Sequence, residues 1–212
     1  ASDAATVATA ALGYAAENGK LVVLDAPTTF TALADVTGRV QDIVDAPQAI
    51  DPTYGALYVP ALASTVPGTT TTVTTGASGV VTGVFAATDA SVGPWEAPAG
   101  TVHGVVAPGA TPVDYVSDAD SLLLSAAGVN AIRTFPEYGE LVWGARTLAA
   151  SSPGPLQYVP QRRTLLGPGT GRIGRNGRRC TGEGGQVGGT DAHSVALQQC
   201  DLQRVAQLAH VA

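Results

Sequence analysis

Charge is scarce in this chain. Only 13% of its 212 residues are Asp, Glu, Lys or Arg, against roughly a quarter in ordinary soluble proteins, and Lys20 is the single lysine. So little charge solvates a large free surface poorly. That fits a chain covered over much of its surface, and it fits equally a genome biased towards Ala, Gly, Val and Thr. No apolar run approaches the ~20 residues of a membrane span, and no basic-then-apolar start resembles a signal peptide. The expectation is a soluble, unexported chain. The two cysteines, Cys180 and Cys200, lack both the four-ligand spacing of a zinc site and the density of a secreted disulfide scaffold. Methionine is absent even at position 1, which points to a chain cut from something longer. The length suits one ordinary domain, alone or with a tail.

The few charges are unevenly placed. Residues 1–161 carry four basic side chains (Lys20, Arg39, Arg133, Arg146) against fourteen acidic ones, a net of −10, whereas residues 162–212 carry seven arginines against three acids. An acidic body argues against nucleic acid as the main partner, since phosphate binding runs on clustered Lys and Arg. The run GRIGRNGRRC at 171–180 has the charge for it but no aromatic residues on which bases could stack. A disordered basic tail is the simpler reading, and nucleic-acid binding through that tail is kept as an alternative.

The pattern along residues 1–163 is that of an α/β domain. An Ala-rich opening, capped by Ser2 or Asp3 and stopped by Gly19, predicts a helix. LVVLDAP at 21–27 predicts a strand buried on both faces of a parallel sheet. Leu33, Val36, Val40, Ile43 and Val44 stand at helical spacing over 31–44, and ALYVP at 56–60 reads as the next strand. Helix between strands, repeated, gives a layered sheet with crossover helices. PGTTTTVTTGASG at 67–79 suits an exposed loop better than an edge strand, and Ser78 is placed to cap a helix running to about Gly93. Four prolines and four glycines over 93–112 leave room for a loop with one short strand around Val102 to Val106. Ser117 and Asp120 form an acidic capping box before a helix that Gly128 stops, and the PEYG turn joins strands at 130–135 and 140–147. From 164 to 212 the Gly/Arg-rich composition predicts an irregular tail, with a possible short terminal helix at its end.

Candidate chemistry is thin. A serine nucleophile has no G-x-S-x-G context, and a triad would need Asp25, His103 and Ser78 or Ser121 to converge. Asp25 ends a strand, where α/β proteins place catalytic groups, but a carboxylate there also serves as a loop cap. The carboxylate pairs Asp42/Asp45 and Asp118/Asp120 fall on helix starts or solvated faces rather than in ligand spacing, and no phosphate loop is present. Neither a metal nor a cofactor is implied. Trp95 in GPWEAPAG and Trp143 before Gly144, Ala145 and Arg146 sit on rigid backbone, where core packing is favoured over an intersubunit anchor.

Several ordered motifs add a resemblance. SGVVTGVFAATDASVGPWEAPAG (78–100), GVNAIRTFPEYGELVWGARTLA (128–149) and QYVPQRR (157–163) resemble, in order and spacing, segments of contractile-tail sheath proteins. LVVLDAP and GALYVP match that family's helix and strand order, so the resemblance covers about residues 14–163. It implies a subtilisin-like core without a catalytic triad, and a structural subunit rather than an enzyme. A degenerate hydrolase remains the enzymatic alternative. The implied partners are other sheath subunits in helically stacked hexameric rings linked by exchanged strands, an inner tube protein and baseplate proteins, with no nucleic acid and no membrane. The implied place is a virion tail or contractile injection particle assembled in the bacterial cytoplasm. Gly93, Trp95, Pro98, Asn130, Trp143, Gly144 and Arg146 are the expected framework positions, with Arg146 bridging a backbone carbonyl or carboxylate inside the subunit. The sequence departs from the family pattern after Arg163, where Gly/Arg-rich material replaces further core, and it opens later than the family's first linker strand. A piece without either arm is expected not to build the lattice alone.

Overall fold

The computed structural model describes residues 2–26, 36–37, 51–66, 68–149 and 154–166. Helix α1 (Ser2–Asn18) closes as expected: Gly19 adopts φ 60 and Lys20 N–H donates to the Ala15 carbonyl at 2.8 Å, satisfying a carbonyl of the last turn. The Ser2 and Asp3 side chains lie outside what is described. Strands β1 (Val22–Asp25), β2 (Gly55–Val59), β6 (Val129–Phe135) and β7 (Gly139–Val142) form a sheet in the order β1-β2-β6-β7. The first three run parallel and β7 returns antiparallel to β6, so the sheet is mixed.

Side chains alternate across this sheet, and the two faces collect different helices. Leu57, Val59, Val129 and Ala131 pack with Ala8 and Leu12 of α1 and with Leu124 of the helix over Asp118–Ala126. Ala56, Tyr58, Ile132 and Val142 pack on the other face with Val81, Val84 and Phe85 of α2 (Ser78–Ser91) and with Val159. All five β2 residues are buried. β1, expected to be buried on both faces, is only half-buried, because β2 is its one strand neighbour among the described residues.

A second, antiparallel sheet has the order β4-β3-β5, from β3 (Leu62–Thr65), β4 (Thr72–Thr75) and β5 (Ala110–Pro112). This corrects the loop expected over 67–79. The β-branched TVTT segment pairs with β3, from Leu62 opposite Thr75 to Thr65 opposite Thr72, and Val66 N–H closes the hairpin on the Thr71 carbonyl. All four β4 residues are exposed, so no hydrophobic alternation advertised the strand. The strand expected at 102–106 is also corrected. Gly100, at φ 79, opens a one-turn helix α3 (Gly100–His103), and only Val105 makes a bridge, to Leu141.

The capping box holds in modified form at helix α4 (Asp118–Ala126). Ser117 Oγ accepts from Asp120 N–H at 3.1 Å, while the Asp120 carboxylate takes the Ser117 hydroxyl at 2.6 Å instead of reaching back to the backbone. Gly128, at φ 79, ends it. The second strand of the 130–147 hairpin stops at Val142, short of the expected 147. Helix α5 (Val159–Leu166) follows a 3-10 turn at Pro155–Gln157. It carries residues 164–166, expected in the tail; residues 167–212 lie outside the described residues. Of the helix expected over 31–44 only Val36 and Thr37 are described; both are helical, and Val36 is buried. Among the described residues no helix is long and apolar enough to cross a membrane.

Candidate functional site

The most heavily bonded polar side chain of the core is Asn130, 1% exposed at the start of β6. Its Nδ2 donates to the Leu57 carbonyl at 3.0 Å and to the Arg146 carbonyl at 2.8 Å, and its Oδ1 accepts from Arg146 N–H at 2.6 Å. The carboxamide thus ties three backbone stretches together and leaves no buried amide hydrogen unmet. Gly144 makes this possible: a Cβ there would stand 2.7 Å from Asn130 Oδ1. The Asn of the GVN motif and the Gly of the WGAR motif are two halves of one joint.

The tryptophans do not sit in the core, which corrects the expectation for both. Trp143 is 41% exposed and stacks on Phe135, ring centroids 4.6 Å apart, with the Arg133 guanidinium 4.9 Å from the Phe135 centroid. Arg133 itself is buried; its Nε donates to the Val116 carbonyl and its Nη2 to Asp118 Oδ1 at 2.6 Å. Trp95 is 45% exposed and lies flat over Gly93, where a Cβ would come within 2.4 Å of the indole. Gly93 (φ 133) and Pro98, on either side of Trp95 in sequence, are both buried. Arg146 bridges inside the chain, but to a side-chain amide: Nη1 donates to Gln157 Oε1 at 3.3 Å, and the guanidinium sits 5.2 Å from the Tyr158 ring centroid. The expected carbonyl or carboxylate partner is thereby corrected.

Asp25 and Ser78 do meet, and the meeting is a helix cap. Asp25 Oδ1 accepts from Ser78 N–H and Oδ2 from the Ser78 hydroxyl, both at 2.6 Å, so a strand end caps a helix 53 positions later in sequence. Ser78 is the first residue of α2 rather than its N-cap, as the sequence had suggested. His103 is not part of this contact. Its carbonyl accepts from Thr88 Oγ1 at 3.2 Å, and Thr88 lies ten residues along α2 from Ser78, about 15 Å at helical rise. Ser121 rides on α4, on the opposite face of the sheet. The triad residues therefore do not converge. Among the described residues no group of three or more metal-ligating side chains is gathered. Asp118 pairs with Arg133 and Asp120 with Ser117, while Asp42 and Asp45 lie outside the described residues.

Two arginines that sequence reasoning passed over anchor α5. Arg162 stacks 3.4 Å from the Tyr54 ring centroid and pairs with Asp51 at 3.5 Å. Arg163 covers the Phe85 ring at 4.5 Å and pairs with Asp89 of α2. The signal was the RR doublet, read as motif without its polar partners. Beneath them Tyr58 meets Phe85 edge to face, and burial pushes its phenol above the ordinary tyrosine range, an effect the nearby Arg163 charge partly opposes. An open groove of about 500 Å³ runs between β1 and α2, with Leu21, Val23, Phe85 and Arg163 among its walls.

No family model matches the chain, and no curated protein matches it. Solved structures do. At 25% identity and a TM-score of 0.55, the chain is similar over 88% of its length to a chain of the contracted PVC sheath complex of an extracellular contractile injection system. It covers 40% of that chain. A chain of the anti-feeding prophage baseplate in its contracted state shares the fold, with a TM-score of 0.56, 20% identity, 72% of this chain and 38% of the other covered. The protein thus resembles a sheath component of a contractile injection system and shares the fold of the baseplate chain, and it spans about two fifths of the length of these solved chains.

Proposed function

We propose that this chain is part of a structural sheath subunit of a contractile injection machine or phage tail, and that it works by packing against copies of itself. The observation that carries the reading is the likeness to the PVC sheath chain over 88% of this chain. The framework agrees with it: Asn130, Gly144 and Arg146 lock the strand edge, while Trp95 and Trp143 are left half-exposed on braced backbone, as anchors for a neighbour would be. Gly93 and Pro98 shape the Trp95 turn. The finer content of the proposal is a subtilisin-like core without a working triad, stacked hexameric rings, an inner tube protein within them and baseplate proteins at one end. No catalytic step is assigned to the chain. Within the proposal, residues 1–163 belong to the core, which α5 extends to Leu166, and the remainder serves as a tail.

The test is to express the tagged chain together with the tube and sheath genes of its own genome, pellet the particles and probe them. Tagged chain in the pelleted particles supports the reading. Particles free of it, with the chain wholly in the supernatant, overturn the reading. Labelling by a fluorophosphonate probe would support the hydrolase alternative instead.

A further inference from the structure

Four buried side-chain atoms find no hydrogen-bond partner among the described residues: Tyr58 Oη, Gln161 Oε1, Arg162 Nε and Arg163 Nη1. Three belong to α5, and the fourth, Tyr58, packs against Phe85 directly under Arg163. Buried polar groups are almost always paired, because an unmet one forfeits its hydration with no return. Such a concentration on one eight-residue helix marks an element whose docked position is poorly satisfied. Up to Val159 the chain is well held. Thr147 N–H donates to the Gln157 carbonyl at 2.9 Å, Thr147 Oγ1 to the Leu156 carbonyl at 2.9 Å, and Val159 N–H to the Ala145 carbonyl at 2.8 Å. Beyond Val159 the attachments of α5 to the rest of the described fold are side-chain ones, chiefly the Arg162 and Arg163 contacts.

We infer that α5 is a displaceable clasp: residues 160–166 pivot at Val159 between the docked position and an undocked one in which Gln161, Arg162, Arg163 and Tyr58 regain water. Undocking removes Arg163 from the wall of the groove between β1 and α2 and uncovers Phe85 and Tyr58 there. The inference stands on the unmet polar atoms and is independent of the sheath reading.

Hydrogen exchange read by mass spectrometry on the full chain tests it, comparing a peptide covering 161–166 with peptides covering β2 and β6. The 161–166 amides should exchange at least about a hundredfold faster than those of the two strands. Gln161→Leu and Tyr58→Phe each delete one unmet atom at nearly constant volume, and each should slow exchange at 161–166 by about tenfold. A helix that merely frays would ignore Tyr58→Phe, because Tyr58 lies outside it. Protection of 161–166 equal to that of β2 in the unmodified chain, or no slowing in either variant, would overturn the inference.

Discussion

Asn130 treats Arg146 as a neighbouring strand would: its carboxamide oxygen takes the Arg146 N–H at 2.6 Å while its nitrogen donates to the Arg146 carbonyl at 2.8 Å. The side chain copies a peptide group, extending the β6 hydrogen-bond pattern onto a segment that has left the sheet. The remaining amide hydrogen holds the Leu57 carbonyl of β2. Asn130→Leu removes all three bonds from buried surroundings, so unfolding by urea should show a loss of about 3 kcal/mol. Asn130→Asp should cost more, since it sets a carboxylate against two carbonyl oxygens. A variant as stable as the parent would dismiss the joint.

Gly93 and Trp95 should couple. Gly93→Ala meets two obstacles, a backbone at φ 133 and an indole 2.4 Å from the new Cβ. We expect a loss of about 2–3 kcal/mol. Trp95→Ala in the same chain relieves the steric part and leaves the backbone part. The double-mutant cycle should therefore return a coupling of about 1 kcal/mol; strict additivity would place the indole elsewhere.

The Asp25 cap predicts a modest, specific loss. Asp25→Ala should lower stability by about 1 kcal/mol, measured by thermal or chemical unfolding. Gly76→Ala should cost at least as much, because a Cβ at residue 76 would overlap the Asp25 carboxyl group. In the double variant the second change should add little.

Tyr58 gives a pH dependence. Its folded-state pKa is raised by burial, so folding favours the neutral phenol. Its contribution to stability is complete below the unfolded tyrosine pKa of about 10 and is lost as pH climbs above it, because the unfolded chain releases the proton more readily. Urea midpoints for the parent chain should fall relative to Tyr58→Phe between about pH 10 and pH 11.5. Parallel curves would mean that Tyr58 ionises in the folded protein as it does in water.

Elements whose local chemistry and burial agree were legible in the sequence. β2 is a continuous apolar run that is buried throughout, and α4 carries its Ser117 start and Gly128 stop in plain view. β4 was missed because neither of its faces is buried, and β3 because four residues after Pro60 are too short to display a period. Val102 to Val106 looked like a strand until Gly100 and Gly104 folded it into one turn against the Val142 carbonyl. The tryptophans misled for a different reason. Size argues for burial, but what Trp143 finds is the Phe135 ring with Arg133 beside it, and what Trp95 finds is the bare backbone of Gly93. The capping role of Asp25 was foreseen in kind, yet its target, Ser78, depends on a tertiary approach that no local pattern encodes.

Cryo-EM helical reconstruction of the pelleted particles decides whether this chain forms part of the sheath wall. Density fitting the described residues, with the sheet order β1-β2-β6-β7, should repeat around the inner tube with Trp95 or Trp143 at a contact between copies. A sheath layer whose density holds no copy of this fold would contradict the sheath reading.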